Sequence, residues 1–175
     1  MSNSTRIPLP IETERLTIRD FDPEADAADM VAVYCDPEVM RLIPDGPLEG
    51  IEAVEAELRR HAEAQAERGF SYWAVVERES GRVIGDAGLD LFEPTGDVEL
   101  GYTIARDRWG LGYATEAASA CLEAGLAHLE VARIAAVIDA ANETSMRIAE
   151  RIGMKRVGAI EAHGQPHVLY TRSRA

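Results

Sequence analysis

Cysteine is scarce: Cys35 and Cys121 are the only two in 175 residues. They show no C-x-x-C spacing, which excludes a disulfide framework and gives no zinc motif, so both read as small buried apolar side chains. Long apolar runs are missing too; nothing approaches the roughly eighteen residues a membrane helix needs. The opening M-S-N-S-T-R-I-P-L-P has no apolar core of the kind a secretory leader carries, so a soluble, cytoplasmic protein is expected. Positive charge is in short supply: 18 Lys and Arg against 31 Asp and Glu leave a formal net charge of -13. That balance argues against nucleic acid or an acidic membrane face as partner and favours an amine-bearing substrate steered inward by the acidic surface. A phosphate-binding Gly-Lys-Ser/Thr ending is absent. The four histidines lack metal spacing, since Gly164 and Pro166 break any helix between His163 and His167; no metal is expected.

What the chain does have is 46% hydrophobic residues, enough for one sizeable core at this length. Residues 1–10 are polar and proline-bearing and read as a flexible segment, with a single domain over 11–175. At its centre lies D-V-E-L-G-Y-T-I-A-R-D-R-W-G-L-G-Y-A-T-E-A-A, from Asp97 to Ala118. This reads as an apolar strand from Val98 to Ala105, a tight turn holding Gly110 and Gly112, and a helix opening near Ala114 or Thr115. Such a turn aims free backbone N–H groups and the positive end of the helix dipole at one volume, which suits a phosphate. A dinucleotide fingerprint fails at its third glycine, where Thr115 stands; a plain chain turn is the simplest alternative.

Along the chain, E-R-L-T-I-R from Glu14 alternates as a half-buried strand. Asp22-Pro23-Glu24 opens a helix to about Tyr34, and Asp36-Pro37-Glu38 repeats the signal for a short helical turn. A longer helix covers Gly50 to Arg68, closed by Gly69. Strands Phe70–Val76, Val83–Phe92 and the Val98 strand form an antiparallel meander. The helix from Thr115 to Leu129 then leads to an apolar strand, Ala132–Ile138, parallel to the Val98 strand in a right-handed crossover. A short capped helix from Asn142 to Ile152 and strands Lys155–Glu161 and His167–Arg172 finish the chain. A C-terminal edge strand could pair between chains, so a homodimer is possible.

The block W-G-L-G-Y-A-T-E-A, preceded by V-E-L-G-Y, resembles the acyl-CoA-binding motif of the GNAT superfamily of N-acetyltransferases. Within it, the nearest look-alikes are the RimJ and RimL ribosomal-protein N-terminal acetyltransferases, many of which also begin with an E-R-L-x-x-R strand. The likeness spans Glu14 to Tyr170. The family's Gln/Arg-x-x-Gly-x-Gly/Ala pattern falls on Trp109, Gly112 and Ala114, so the usual polar cap of the loop is replaced by Trp. The resemblance implies an α/β (α+β) fold: one mixed, mostly antiparallel sheet of about six to seven strands, about four helices and a βαβ acyl-CoA-binding unit. It implies acetyl-CoA as co-substrate, bound by Tyr102, Thr103, Ile104, Trp109, Gly110, Leu111, Gly112, Tyr113, Ala114, Thr115, Asn142 and Ser145. The segment between the first strand and the long helix, including Met40, Leu42 and Ile43, would wall the acceptor site.

Moving an acetyl group from a thioester to an amine needs a neutral amine, a stabilised oxyanion and a proton for the thiolate. Glu99 is the candidate base, because a carboxylate inside an apolar strand is costly unless used or paired. Its alternative is a cross-strand partner for Arg82 or another cation. By resemblance, backbone N–H groups of Gly101 to Ile104 hold the oxyanion. Glu116 either answers the helix dipole or takes part in catalysis. Asn142 and Ser145 match an N-x-x-S element in which Asn contacts the pantetheine arm and Ser protonates the leaving thiolate; ordinary helix capping is the alternative. The Tyr acid that many relatives place on the last helix is missing from M-R-I-A-E-R-I. Ser145, Tyr170 or Tyr102 would have to replace it. The expected activity is N-acetylation of a primary amine, a protein N-terminus or a small cationic amine, by direct transfer. A non-catalytic acyl-CoA-binding module and a phosphate-binding fold unrelated to CoA are the alternatives.

Overall fold

The computed structural model describes residues 6–174. One eight-stranded sheet runs in the order β1-β2-β3-β4-β5-β6-β8-β7. Its strands are β1 (Ile11–Glu12), β2 (Leu16–Arg19), β3 (Tyr72–Glu77), β4 (Val83–Phe92), β5 (Asp97–Ile104), β6 (Arg133–Asp139), β7 (Lys155–Ala162) and β8 (Gln165–Ser173). The helices are α1 (Pro23–Tyr34), α2 (Gly50–Arg68), α3 (Tyr113–His128) and α4 (Glu143–Arg151). Neighbouring strands pair antiparallel except β5 and β6, which are parallel and joined by α3. The expected βαβ unit is therefore present. The sheet has one strand more than expected because the two-residue β1 pairs with β2, Ile11 against Ile18.

Strand alternation divides the core between two faces. Trp73, Val75, Ile84, Leu89 and Leu100 point to α3, where they meet Ala117, Cys121 and Leu122. Ala74 and Val83 point the other way and pack with Met30 of α1 and Val54 and Leu58 of α2. The α3 helix lies close on the sheet: a Cβ at Gly125 would sit 2.5 Å from Ile134 Cδ1 and 2.6 Å from Leu89 Cδ1. Trp73 Nε1–H donates to Gln65 Oε1 at 2.9 Å, tying α2 to β3.

Asp36-Pro37-Glu38 opens a single helical turn, Met40 N–H donating to Asp36 O at 3.0 Å, with Asp36 Oδ1 capping it by accepting the Glu38 N–H at 2.9 Å. Three local expectations change. The α3 helix opens at Tyr113, ahead of Ala114, because Gly112 at φ +83° lets the chain enter it directly from the turn. The last strand is interior, between β6 and β7, so the edge on that side is β7. Within the segment expected to be flexible, Ile7 is buried and its N–H donates to Gly69 O at 2.9 Å; residues 1–5 lie outside the described residues.

Candidate active site

The parallel ladder between β5 and β6 holds over Val98↔Ile134 and Glu99↔Ala135 only. Beyond it, Gly101, Tyr102 and Thr103 line a cavity together with Val137 and Ile138, so the two strands have splayed. Ala105 N–H donates to Ile84 O on the β4 side. Alternation along the strand then turns the N–H groups of Tyr102 and Ile104 toward the splay, where no strand takes them up.

Two cavities meet at this opening. One, of about 580 Å³, runs over the glycine turn and is lined by Tyr102, Thr103, Ile104, Trp109, Gly110, Gly112, Tyr113, Ala114, Thr115, Asn142 and Ser145. Of the residues expected to bind coenzyme, Leu111 alone lies outside it; its carbonyl accepts from Arg15 Nη1 at 2.8 Å. The other cavity, of about 600 Å³, spreads over the α1 and α2 face of the sheet. Leu42, Ile43, Tyr102, Thr103, Asn142 and Ser145 line both.

The glycine turn presents a helix N-terminus without a side-chain cap. The first helical bond is Glu116 N–H to Gly112 O at 3.1 Å, which leaves the N–H groups of Tyr113, Ala114 and Thr115 free of intrahelical partners. Trp109 Nε1–H donates to Ile104 O, at the end of β5, at 2.7 Å. Arg41, Arg108 and Arg151 line the same cleft, a positive rim on an acidic protein that no sequence pattern singles out. Among the described residues, neither Arg41 nor Arg151 has a carboxylate within ion-pair distance, whereas Arg108 is held by Glu77 and Asp107. Glu77 also accepts from Tyr113 Oη at 2.7 Å, and these bonds, that from Arg108 first, lower its pKa to about 2.

Glu99 faces this second cavity from β5, opposite Asp90 across the ladder. Burial pushes its pKa up to about 7, against the lowering effect of a bond from the Val137 backbone N–H. The alternative partner is engaged elsewhere, since Arg82 Nη1 meets Asp107 Oδ2 at 2.7 Å. Glu99 is thus a carboxylate without a counter-ion among the described residues, poised to take a proton near neutrality.

Asn142 does cap α4, its Oδ1 accepting the Ser145 N–H at 3.0 Å, and it does so at the cavity junction. Capping and exposure to both cavities hold together. Tyr102 Oη donates to Ser145 O at 3.2 Å, and burial raises the phenol to about 12, so it keeps its proton. Tyr170 donates to Glu150 Oε1 at 3.0 Å and lines neither cavity. Glu116 is occupied by Thr13 Oγ1, at 2.6 Å, and by the Nε and backbone N–H of Arg15, at 2.7 and 2.8 Å; it fastens α3 to the start of β2. Asp86, missed in the sequence, lies buried in the second cavity, where it accepts hydrogen bonds from the Tyr34 hydroxyl and the Thr103 side chain. His163 and His167 are brought together by the β7–β8 turn, ring centroids 5.8 Å apart. No helix among the described residues is long and apolar enough to cross a membrane.

A splayed parallel pair with a glycine turn at one strand end and a second cavity beside it is an acyl-transfer architecture, and the comparisons agree. The model of the acetyltransferase (GNAT) domain matches residues 15–155, and the chain belongs to that family as an acyltransferase. Membership brings acetyl-CoA as co-substrate. Among curated relatives, YkkB of Bacillus subtilis (strain 168) is 30% identical over 162 residues, 91% of this chain and 93% of its own. N-acetyltransferase p20 of Bacillus licheniformis is 26% identical over 149 residues, 85% of this chain and 83% of its own. A GNAT-family acetyltransferase structure from Bacillus anthracis superposes with a TM-score of 0.82 at 26% identity, covering 95% of this chain and 99% of that one. The ribosomal-protein-S5-alanine acetyltransferase of Vibrio fischeri shares the fold, with a TM-score of 0.74 at 20% identity over 95% of this chain and 97% of that one.

Proposed function

We propose that this chain transfers an acetyl group from acetyl-CoA directly to a primary amine, a protein N-terminus or a small cationic amine, inside a ternary complex. The observation that carries the reading is the meeting of the two cavities at Tyr102, Asn142 and Ser145, with the Glu99 carboxylate at the Val137 N–H in the same splay. Phosphates of the coenzyme would lie at the free N–H groups of Tyr113, Ala114 and Thr115, with Arg41 and Arg151 at the rim. The pantetheine arm would pass Asn142 into the splay.

The step balances within this residue set. The amine nitrogen bonds to the thioester carbon while its proton passes to Glu99, and the oxygen takes the negative charge under the N–H groups of Tyr102 and Ile104. Collapse re-forms the C=O and breaks the C–S bond. The departing thiolate takes a proton from Ser145 Oγ, which is re-protonated from solvent as it gives its own up, and Glu99 returns the amine's proton to solvent. A second reading gives that proton to Tyr102, favoured by its place in both cavities and its retained proton.

Residues 11–175 act in this reading as one N-acetyltransferase domain of RimJ/RimL-like kind. It works in the cytoplasm without nucleic acid, membrane or metal, and any homodimer would pair along β7. The test is thiol release from acetyl-CoA across an amine panel, beside thermal midpoints with acetyl-CoA, ATP and NAD. Turnover with some amine and a midpoint shift with acetyl-CoA alone support it. A coenzyme shift without turnover on any amine or N-terminal peptide would instead indicate the non-catalytic acyl-CoA-binding module.

A further inference from the structure

The acceptor cavity holds more buried negative charge than one amine can answer. Asp90 is met by Arg68 at 2.8 Å and Glu57 by Arg60 at 2.6 Å. Asp45 and Glu93 stand exposed at the mouth, and Asp139 accepts the Ala141 N–H. Away from the mouth, Glu99 and Asp86 also stand without a cation among the described residues, and they share one sheet face because Asp86 pairs with Thr103 and Asp90 with Glu99. Asp86 is 5% exposed, and burial pushes its pKa up to about 7 despite its hydrogen bonds. Around it stand Tyr34, Thr103, His61 and Glu57; His61 Nε2 is 3.3 Å from Tyr34 Oη and 3.4 Å from Glu57 Oε1.

Between the two carboxylates the ladder pairs Gly88 with Gly101, so no side chain rises there from β4 or β5. The ring of Tyr72 covers that gap: a Cβ at Gly101 would be 2.5 Å from Tyr72 Oη and 2.7 Å from its Cε1. His61 closes on the same ring edge-on, centroids 5.4 Å apart. The result is an aromatic floor with a carboxylate at each end, a surface that suits cations and the alkyl chain between them.

We infer that the acceptor is an aliphatic diamine, whose reacting amine sits at Glu99 while its second ammonium is held by Asp86 with the spacer laid over Tyr72. This rests on Glu99 serving the transfer reaction proposed above. The spacing follows from the β4–β5 register: Thr103, the partner of Asp86, is four residues from Glu99, or about 13 Å of strand. With about 3 Å taken up at each end by the contact between carboxylate and ammonium, a chain of roughly four to five carbons spans what is left. A monoamine would leave Asp86 buried and unanswered, which is why the site should discriminate strongly between the two.

The test compares 1,5-diaminopentane with pentylamine in acetyl-CoA-dependent thiol release, for the natural protein and Asp86→Asn. The natural protein is expected to favour the diamine about a hundredfold in kcat/KM. In Asp86→Asn that ratio falls tenfold or more, through KM. A ratio near one in the natural protein overturns the inference, and that arm stands even where Asp86→Asn does not fold. A variant that loses both activities alike gives Asp86 a structural role and overturns it too. N-terminal peptides acetylated more efficiently than the diamine would replace it with a protein acceptor. Coenzyme binding without turnover of any amine defeats the transferase reading itself, and the inference with it.

Discussion

The Tyr102 hydroxyl donates to the backbone carbonyl of Ser145 at 3.2 Å, joining β5 to the first turn of α4 across the splay. The bond fixes the junction of the two cavities. Tyr102→Phe removes the donor and keeps the ring, so the coenzyme should still bind while turnover falls by about tenfold or more. A parallel Ser145→Ala variant identifies the acid: the larger loss in kcat, with KM for acetyl-CoA little changed, marks the proton donor.

Activity should follow the state of Glu99. As the proposed base, Glu99 would work only when ionised, and its pKa is pushed up to about 7, so kcat/KM should rise with pH through about 7 and level off above it. A profile that turns instead at the ordinary carboxylate value would place the base in a less buried setting.

Stability should move the other way. Glu99 and Asp86, with ordinary values of 4.5 and 3.8, both titrate near 7 in the fold, so the native state binds protons that the unfolded chain has released. Stability from these two groups is therefore present at low pH and is lost as pH rises from about 4 through 7. Glu77 acts oppositely, its contribution present above 4.5 and lost as pH falls through about 2. The thermal midpoint of the unliganded protein should peak on the acid side of neutrality, and Asp86→Asn should flatten the fall above the peak.

Gly112→Ala probes the glycine turn. At φ +83° an alanine is strained, and its Cβ would meet Arg15 Nη2 at 3.3 Å. A loss of about 1 kcal/mol or more in stability is expected, with weaker acetyl-CoA binding by calorimetry. Glu116→Ala should lower the midpoint through loss of its three bonds, about 1 to 3 kcal/mol, while the pH at which kcat/KM turns stays the same.

What was legible in the chain was local. Gly110 and Gly112 before an Ala-rich run announce a tight turn into a helix N-terminus, because its geometry is set by neighbouring residues. The apolar setting of Glu99 marked it in the same way. Asp86 carried no such signal: its meaning comes from Tyr34, 52 residues away, and from a ladder register that puts it beside Thr103. The splay was equally silent, since Val137 and Ile138 look like any buried strand until the ladder to β5 stops after two pairs.

The most direct measurement is a paired one on Glu99→Gln: acetyl-CoA affinity by calorimetry and acetyl transfer by thiol release on the best amine found. A buried base removed without a change of shape should cost about 10² to 10⁴ in kcat and leave the coenzyme dissociation constant within a factor of about three. Full turnover in the variant would contradict the assignment of Glu99 and leave the junction of the two cavities without its base.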